Sequence, residues 1–255
     1  MKFGVCIGGD HTKIAVSKKL GYDYVESCFS LLADEDEAPY DQFRAALIEN
    51  DIPCLSVNCF LPSSLPVTGP STDYAALTAY VERGMRRGAA LGVKTVVFGS
   101  GGARRLPDGF PYEEGIGQLV YFLSEIVSPI AEKYDITVVI EPLSPKDTNV
   151  INSIKEGAIL SCAVHKPNIR LLGDVYHMCN VGDTNEDVVR MKGLLRHAHI
   201  AEPTHRAYPT ESDAFDYKSF VDALTAAGCE HCSLEAGCRS FEEEAAAAIA
   251  VFKKL

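Results

Sequence analysis

Two glutamates, an aspartate and a histidine each stand at the end of a short apolar run: Glu141 in TVVIEPL, Asp174 in IRLLGDVYH, His199 in LRHAHIAEP and Glu235 in HCSLEAG. Carboxylate oxygens with a single imidazole nitrogen suit a divalent cation of the manganese or magnesium type better than structural zinc, which favours thiolates and imidazoles. Each run is continuous rather than alternating, the pattern of a strand buried on both faces in a parallel sheet. The polar residue beyond it therefore sits where strand passes to loop. In a closed parallel barrel such strand ends converge on one face, where the catalytic residues of that architecture gather. Taken singly, Glu141 or Glu235 reads as a loop carboxylate and His199 as a core histidine. The recurrence of one structural station on four successive strands is what sets them apart.

The elements that must position these residues alternate along the whole chain. KFGVCIG (2–8) precedes an amphipathic TKIAVSKKLG that Gly21 stops, and DYVESCF precedes a helix through DQFRAALIEN. CLSVNCFLP precedes a helix from about Asp73 to Gly92, where Leu77, Val81, Met85, Gly88 and Leu91 fall at three- and four-residue spacings. KTVVFGS is followed by a Gly-rich loop and a long helix near 112–134; TVVIEPL, RLLGDVY, LRHAHIA and HCSLEAG are strands five to eight, with helices near 152–165, 185–194, 217–227 and 240–254. Eight strand-then-helix units predict an α/β fold, a single (β/α)8 TIM barrel forming one domain over residues 1–255, and a chain of 255 residues has the ordinary length for it. An open doubly wound sheet shares the alternation, but the first strand runs into GVCIGGDH rather than a G-x-G-x-x-G turn.

A formal net charge of -11 without any Lys/Arg-rich stripe argues against nucleic acid and anionic membrane as partners and favours a small, neutral or locally neutralised substrate. Nine cysteines are an odd number in a chain able to build a full core, so they read as reduced thiols rather than a disulfide framework. No stretch approaches the ~20 apolar residues of a membrane span, and the apolar stretch of MKFGVCIGGDHTK is short for a signal segment, so the expected location is cytoplasmic.

Other residues invite a place near the site. His177 lies three residues after Asp174, close enough to serve the same centre, and alternation sends His197 to the same side as His199. Glu202 and His205 fall in the loop after strand seven, and Glu202 is expected to orient His199 or to touch substrate. Asn58, Phe60 and His11 near strand ends could line a pocket or simply pack. Cys6, Cys54 and Cys59 read as small apolar filler. In GSGGARRLP (99–107) consecutive glycines expose backbone N–H groups beside Arg104 and Arg105, a cradle able to dock a phosphate or carboxylate; a flexible barrel loop with one arginine salt-bridged to a neighbouring acid is the plainer reading and the weightier one.

EPL at 141–143, GDVYH at 173–177, HAHIAEP at 197–203 and SLEAG at 233–237 resemble the xylose isomerase-like TIM barrels of the sugar phosphate isomerase/epimerase group, which includes ketose 3-epimerases, hydroxypyruvate isomerase and inosose dehydratase. The resemblance spans essentially the whole chain. It implies that Glu141, Asp174, His199 and Glu235 bind one divalent metal ion, Mn2+ foremost with Mg2+, Co2+ or Zn2+ as other candidates. It further implies that the two glutamates move the proton, that His177 contacts substrate, and that copies pair into a homo-oligomer. The ketose 3-epimerase branch carries Glu six positions after the first metal-binding Glu, where this chain has Asp147. It carries Arg six positions after the metal-binding His, where this chain has His205, with Arg206 one step on.

The expected chemistry follows from these residue types. A divalent ion gripping the carbonyl and adjacent hydroxyl of a small carbohydrate acts as a Lewis acid toward an enediolate. Glu141 and Glu235 would be the acid/base pair, with His177, Arg206 and Asp147 on substrate oxygens. Return of the proton to the same carbon from the opposite face gives an epimer, and return to the neighbouring carbon gives an aldose–ketose isomer. Expulsion of a β-hydroxyl instead would make the protein an inosose-type dehydratase. An endonuclease IV-like nuclease would need more histidines at these strand ends and a positive surface; a non-catalytic carbohydrate-binding barrel would have no use for two glutamates.

Overall fold

In the computed structural model, which describes residues 1–255, eight parallel strands close into a barrel in sequence order. They are β1 (Lys2–Gly8), β2 (Tyr24–Cys28), β3 (Cys54–Asn58), β4 (Thr95–Phe98), β5 (Thr137–Ile140), β6 (Ile169–Asp174), β7 (Leu195–Ile200) and β8 (His231–Leu234). Closure is made by β1 against β8, with Lys2 opposite His231 and Val5 opposite Leu234. Because every strand is flanked on both sides, the apolar runs have no edge to leave unpaired.

The strands' two faces do different work. On β4, Val96 and Phe98 join the large core between sheet and helices, while Val97 between them packs with Val139 and Leu172 in a small separate cluster. Alternation along a strand makes that cluster the barrel interior. On β7 the same rule separates Ala198 and Ile200, which join the outer core, from His197 and His199, which face inward.

The helices begin and end where local chemistry dictates. The helix Tyr74–Leu91 opens with the Asp73 side chain accepting from the N–H groups of Ala75 and Ala76, and closes on Gly92 in the left-handed region at φ 87°. Its buried stripe includes Leu77, Val81 and Met85. The expected helix near 112–134 is continuous from Tyr112 to Lys133 but passes through a π-helical stretch, Phe122–Val127. The helix expected near 185–194 is shorter, Asn185–Arg190, and a helix not foreseen in the sequence, Val175–Val181, follows β6 directly. The Gly-rich loop also differs from expectation, since Gly101–Arg104 is a turn of helix. No helix is long and apolar enough to cross a membrane.

Candidate metal centre

The four strand-end residues reach the C-terminal mouth of the barrel with local support, His199 from within β7 itself. Glu141 follows β5 directly, and its N–H donates to the Phe98 carbonyl at 3.1 Å, which prolongs the β4–β5 ladder by one rung. Gly99 leaves the space for its side chain: a Cβ there would stand 2.2 Å from Glu141 Oε2. Asp174 ends β6 and caps the helix that follows, with Oδ1 accepting from Tyr176 N at 2.7 Å and His177 N at 3.2 Å. That leaves Oδ2 buried and without a hydrogen-bond partner. Glu235 follows β8, with its N–H on the Ile200 carbonyl at 3.1 Å and its Oε1 accepting from Asn58 Nδ2 at 2.9 Å.

The four side chains meet. His199 Nδ1 lies 3.1 Å from Glu141 Oε1, 3.2 Å from Glu235 Oε2 and 3.8 Å from Asp174 Oδ2. One donor atom from each of the four residues falls within 4.8 Å of every other. Three carboxylates this close require positive charge among them. Burial pushes the Asp174 carboxyl up to about 8, with Glu141 and Glu235 adding to the effect. Burial would push the His199 imidazole down, but Glu235, Glu26 and Glu141 outweigh it and hold it well above the ordinary imidazole range. Glu235, despite burial, is held down to about 2 by His199 and Arg206. An orphaned buried carboxylate oxygen facing two further carboxylates and one imidazole nitrogen is a donor set that fits a hard divalent cation.

A cavity of about 400 Å3 opens above this cluster, with Glu141, Glu235, Asn58, Asp147, His177 and Arg206 in its wall. His177 is buried; its Nδ1 accepts from Ser144 N at 3.0 Å, so a neutral ring carries its proton on Nε2, which has no partner and lies 3.9 Å from Asp174 Oδ2. Burial lowers its pKa, which favours that neutral form. Asp147 accepts from the Ser144 hydroxyl and sits 3.7 Å from His177 Nδ1. Arg206, at φ 52°, turns its guanidinium inward to Glu235 Oε2 at 2.5 Å and Asp174 Oδ2 at 3.6 Å, with the Tyr176 ring beneath it at 4.9 Å.

Other expected residues lie elsewhere. Arg104 is no part of an anion cradle: it is 1% exposed, and its guanidinium donates to the carbonyls of Phe98 at 3.1 Å and Ile151 at 3.3 Å, over the Phe98 ring. It adds a second donor to two carbonyls that already accept backbone N–H groups, of Glu141 and Leu143, and so ties the end of β4 to the segment after β5. Arg105 points to solvent. Glu202 makes no bond to His199; its carboxylate accepts from the N–H groups of Thr204 and His205, each at 2.8 Å, and so shapes its own loop. Phe60 packs into the aromatic core with Phe29, Phe98 and Phe122.

The sequence reading missed Glu26. This residue of β2 is fully buried, and its carboxylate meets His199 Nε2 at 2.8 Å and His197 Nε2 at 2.8 Å, directly behind the cluster. The available hint was a charged residue in the middle of the otherwise strand-like DYVESCF.

Comparison with known proteins places this geometry in context. The family model described as a xylose isomerase-like TIM barrel matches residues 14–255. The chain is 25% identical over 197 residues to a D-psicose 3-epimerase of Agrobacterium fabrum, a match covering 74% of this chain and 66% of that protein. It is 33% identical over 75 residues to a putative hydroxypyruvate isomerase of Drosophila melanogaster, covering 29% and 28%. The matched stretch thus spans just under two thirds of the first of these relatives and a little over a quarter of the second. Among solved structures, a D-allulose 3-epimerase from Methylomonas sp. superposes with a TM-score of 0.86 at 20% identity, over 100% of this chain and 97% of that one, a likeness of fold.

Proposed function

The chain belongs to the xylose isomerase-like TIM barrel family, and from that footing we propose that it is a divalent-metal-dependent isomerase or epimerase of a small sugar or hydroxy-keto compound. The observation that carries this reading is the pair of glutamates: Glu141 and Glu235 approach His199 Nδ1 from β5 and β8, at 3.1 and 3.2 Å, and both line the one cavity. Two carboxylates with separate supports, facing one space, are what proton removal and proton return require.

Glu141, Asp174, His199 and Glu235 would hold the ion, with Mn2+ the first choice for so oxygen-rich a set. When bound, the cation supplies Lewis-acid polarisation of the substrate's carbonyl and neighbouring hydroxyl. This chain's own groups do the rest. One glutamate accepts the proton on the carbon beside the carbonyl, and the other returns a proton. Asn58 Nδ2 and Arg206 Nη2 each hold one oxygen of Glu235, which fixes the carboxylate's plane. His177 presents Nε2–H into the pocket as a donor to a substrate oxygen, and Asp147 offers a carboxylate to substrate hydroxyls. Asp147 reaches one methylene less far than a glutamate would, so the pocket is expected to grip hydroxyls differently from a chain carrying Glu there.

Incubation of the Mn2+-loaded protein with D-allulose, D-fructose, D-tagatose, L-ribulose and hydroxypyruvate, followed by chromatography of the products, tests the proposal. Conversion of at least one compound to an epimer or aldose–ketose isomer, abolished by chelation, is the expected result. Loss of water from a substrate with no isomer formed would replace an isomerase by a lyase.

A further inference from the structure

Behind the proposed metal centre lies a second buried polar layer. Glu26, on β2, is 0% exposed and receives four hydrogen bonds: Oε1 accepts from His199 Nε2 at 2.8 Å, and Oε2 from His197 Nε2 at 2.8 Å, Ser56 Oγ at 2.6 Å and Ser233 Oγ at 2.6 Å. Four strands contribute to this layer, β2, β3, β7 and β8, so its geometry is set by the barrel and not by any loop. The two hydroxyls and His197 crowd Oε2 and His199 faces Oε1, an environment that suits an ionised carboxylate, which accepts only. The proton of the shared His199 bond therefore belongs to Nε2 of the imidazole.

The consequence appears on the other side of the ring. With Nε2 committed as a donor, Nδ1 is the ring nitrogen of His199 that faces the space between Glu141 Oε1, Glu235 Oε2 and Asp174 Oδ2, and it is the one that can exchange its proton for a cation. We propose that Glu26 is a positioning residue for the divalent cation, fixing His199 as an Nδ1 ligand by accepting its Nε2 proton. The proposal rests on the metal-centre reading of the site. Glu26 is not itself a ligand in it. Cys6, Glu26 and His199 do offer donor atoms within 4.8 Å of one another, but both Glu26 oxygens are already taken and the half-buried Cys6 thiol is raised well above the ordinary thiol range by desolvation and by Glu26. A carboxylate behind a ligating imidazole also makes that imidazole a stronger base toward the ion.

The replacement Glu26→Gln keeps the shape and turns one oxygen into a donor, so that it opposes either His199 or the group of His197, Ser56 and Ser233 on the other oxygen. Mn2+ affinity of the parent and of E26Q, measured by competition with a chelating indicator and with no sugar present, is expected to differ by about 10- to 100-fold. A folded E26Q that binds Mn2+ as tightly as the parent would overturn the proposal. Should the variant not fold, the parent provides the second readout, 15N NMR of the histidine rings in the Zn2+-loaded protein. Nε2 protonated and Nδ1 carrying the metal is the expected pattern for His199; metal on Nε2, or a proton on Nδ1, would overturn it. A parent that binds no divalent ion refutes the metal centre and the role of Glu26 together, whereas a metal-binding parent matched by E26Q refutes Glu26 alone.

Discussion

Asp174 divides its two oxygens between structure and chemistry, one capping the helix that begins at Val175 and the other left bare at the cluster. With that division, the proposed metal binding acquires a defined dependence on pH. The Asp174 carboxyl is raised to about 8 by burial and its neighbouring carboxylates, so folding favours its protonated form; the metal-free protein loses stability as pH rises from the ordinary carboxylate range toward 8. His199 is raised as well, so the stability its cation contributes is present below the ordinary imidazole range and lost as pH climbs through the raised value. Both point the same way. The rise in Tm on adding Mn2+ is therefore expected to be larger at pH 8 than at pH 6, as scanning calorimetry at the two pH values would show; an equal or smaller rise at pH 8 would contradict it. Glu235→Gln should abolish turnover while weakening Mn2+ binding only modestly, and a fully active variant would remove the two-base mechanism. The four strand-end residues could be read from sequence because each ends an apolar run. Glu26 could not, because a carboxylate inside one strand does not reveal that two histidines of β7 face it across the barrel.

The loop after β4 shows how an element can redirect a residue's apparent chemistry. GSGGARRLP promised exposed N–H groups beside two cations, yet Gly101–Arg104 coils into a helical turn and Arg104 is drawn inward to carbonyls of Phe98 and Ile151. The destination of Arg104 depended on carbonyls contributed by β4 and by a segment some fifty residues away, beyond the reach of local spacing. Arg104→Leu is expected to cost about 2–4 kcal/mol of stability through loss of two buried charge-assisted hydrogen bonds, and Arg105→Ala, on an exposed side chain, about 0.5 kcal/mol or less. Urea denaturation of the two variants measures the contrast, and equal midpoints would return Arg104 to the surface. Gly99 serves the same strand end differently. Its missing Cβ is the space of Glu141 Oε2, so Gly99→Ala should lower kcat/KM on the order of 100-fold by displacing the glutamate while leaving the barrel folded. An unimpaired Gly99→Ala enzyme would mean that Glu141 tolerates movement and is no proton carrier. Most helices were legible through their caps and stripes. Val175–Val181 was not, because Asp174 is both a strand end and a helix cap with no residue between the two elements.

At the scale of the whole molecule, closure of β1 on β8 carries the four strand ends to one mouth, and the alternation of eight strands and helices was sufficient to foresee it. The directions of cavity-lining loop residues such as Asp147 and Arg206 are not legible in the same way, since they depend on turns and not on periodicity. The net charge of -11 argues against a phosphate backbone as partner. Accordingly the protein should not shift duplex DNA carrying an abasic site in a gel assay at about 100 mM salt, where a protein with several phosphate contacts would. In the proposed reaction a carbon-bound proton is removed and returned by Glu141 and Glu235 at a divalent centre. Its most direct test is mass spectrometry of the same ketoses and hydroxypyruvate after incubation with Mn2+-loaded protein in D2O, for the parent, Glu141→Gln and Glu235→Gln. Deuterium gained by a substrate only with the metal present and both glutamates intact is the predicted result. Exchange that survives either substitution, or substrate turnover without any exchange, would contradict it.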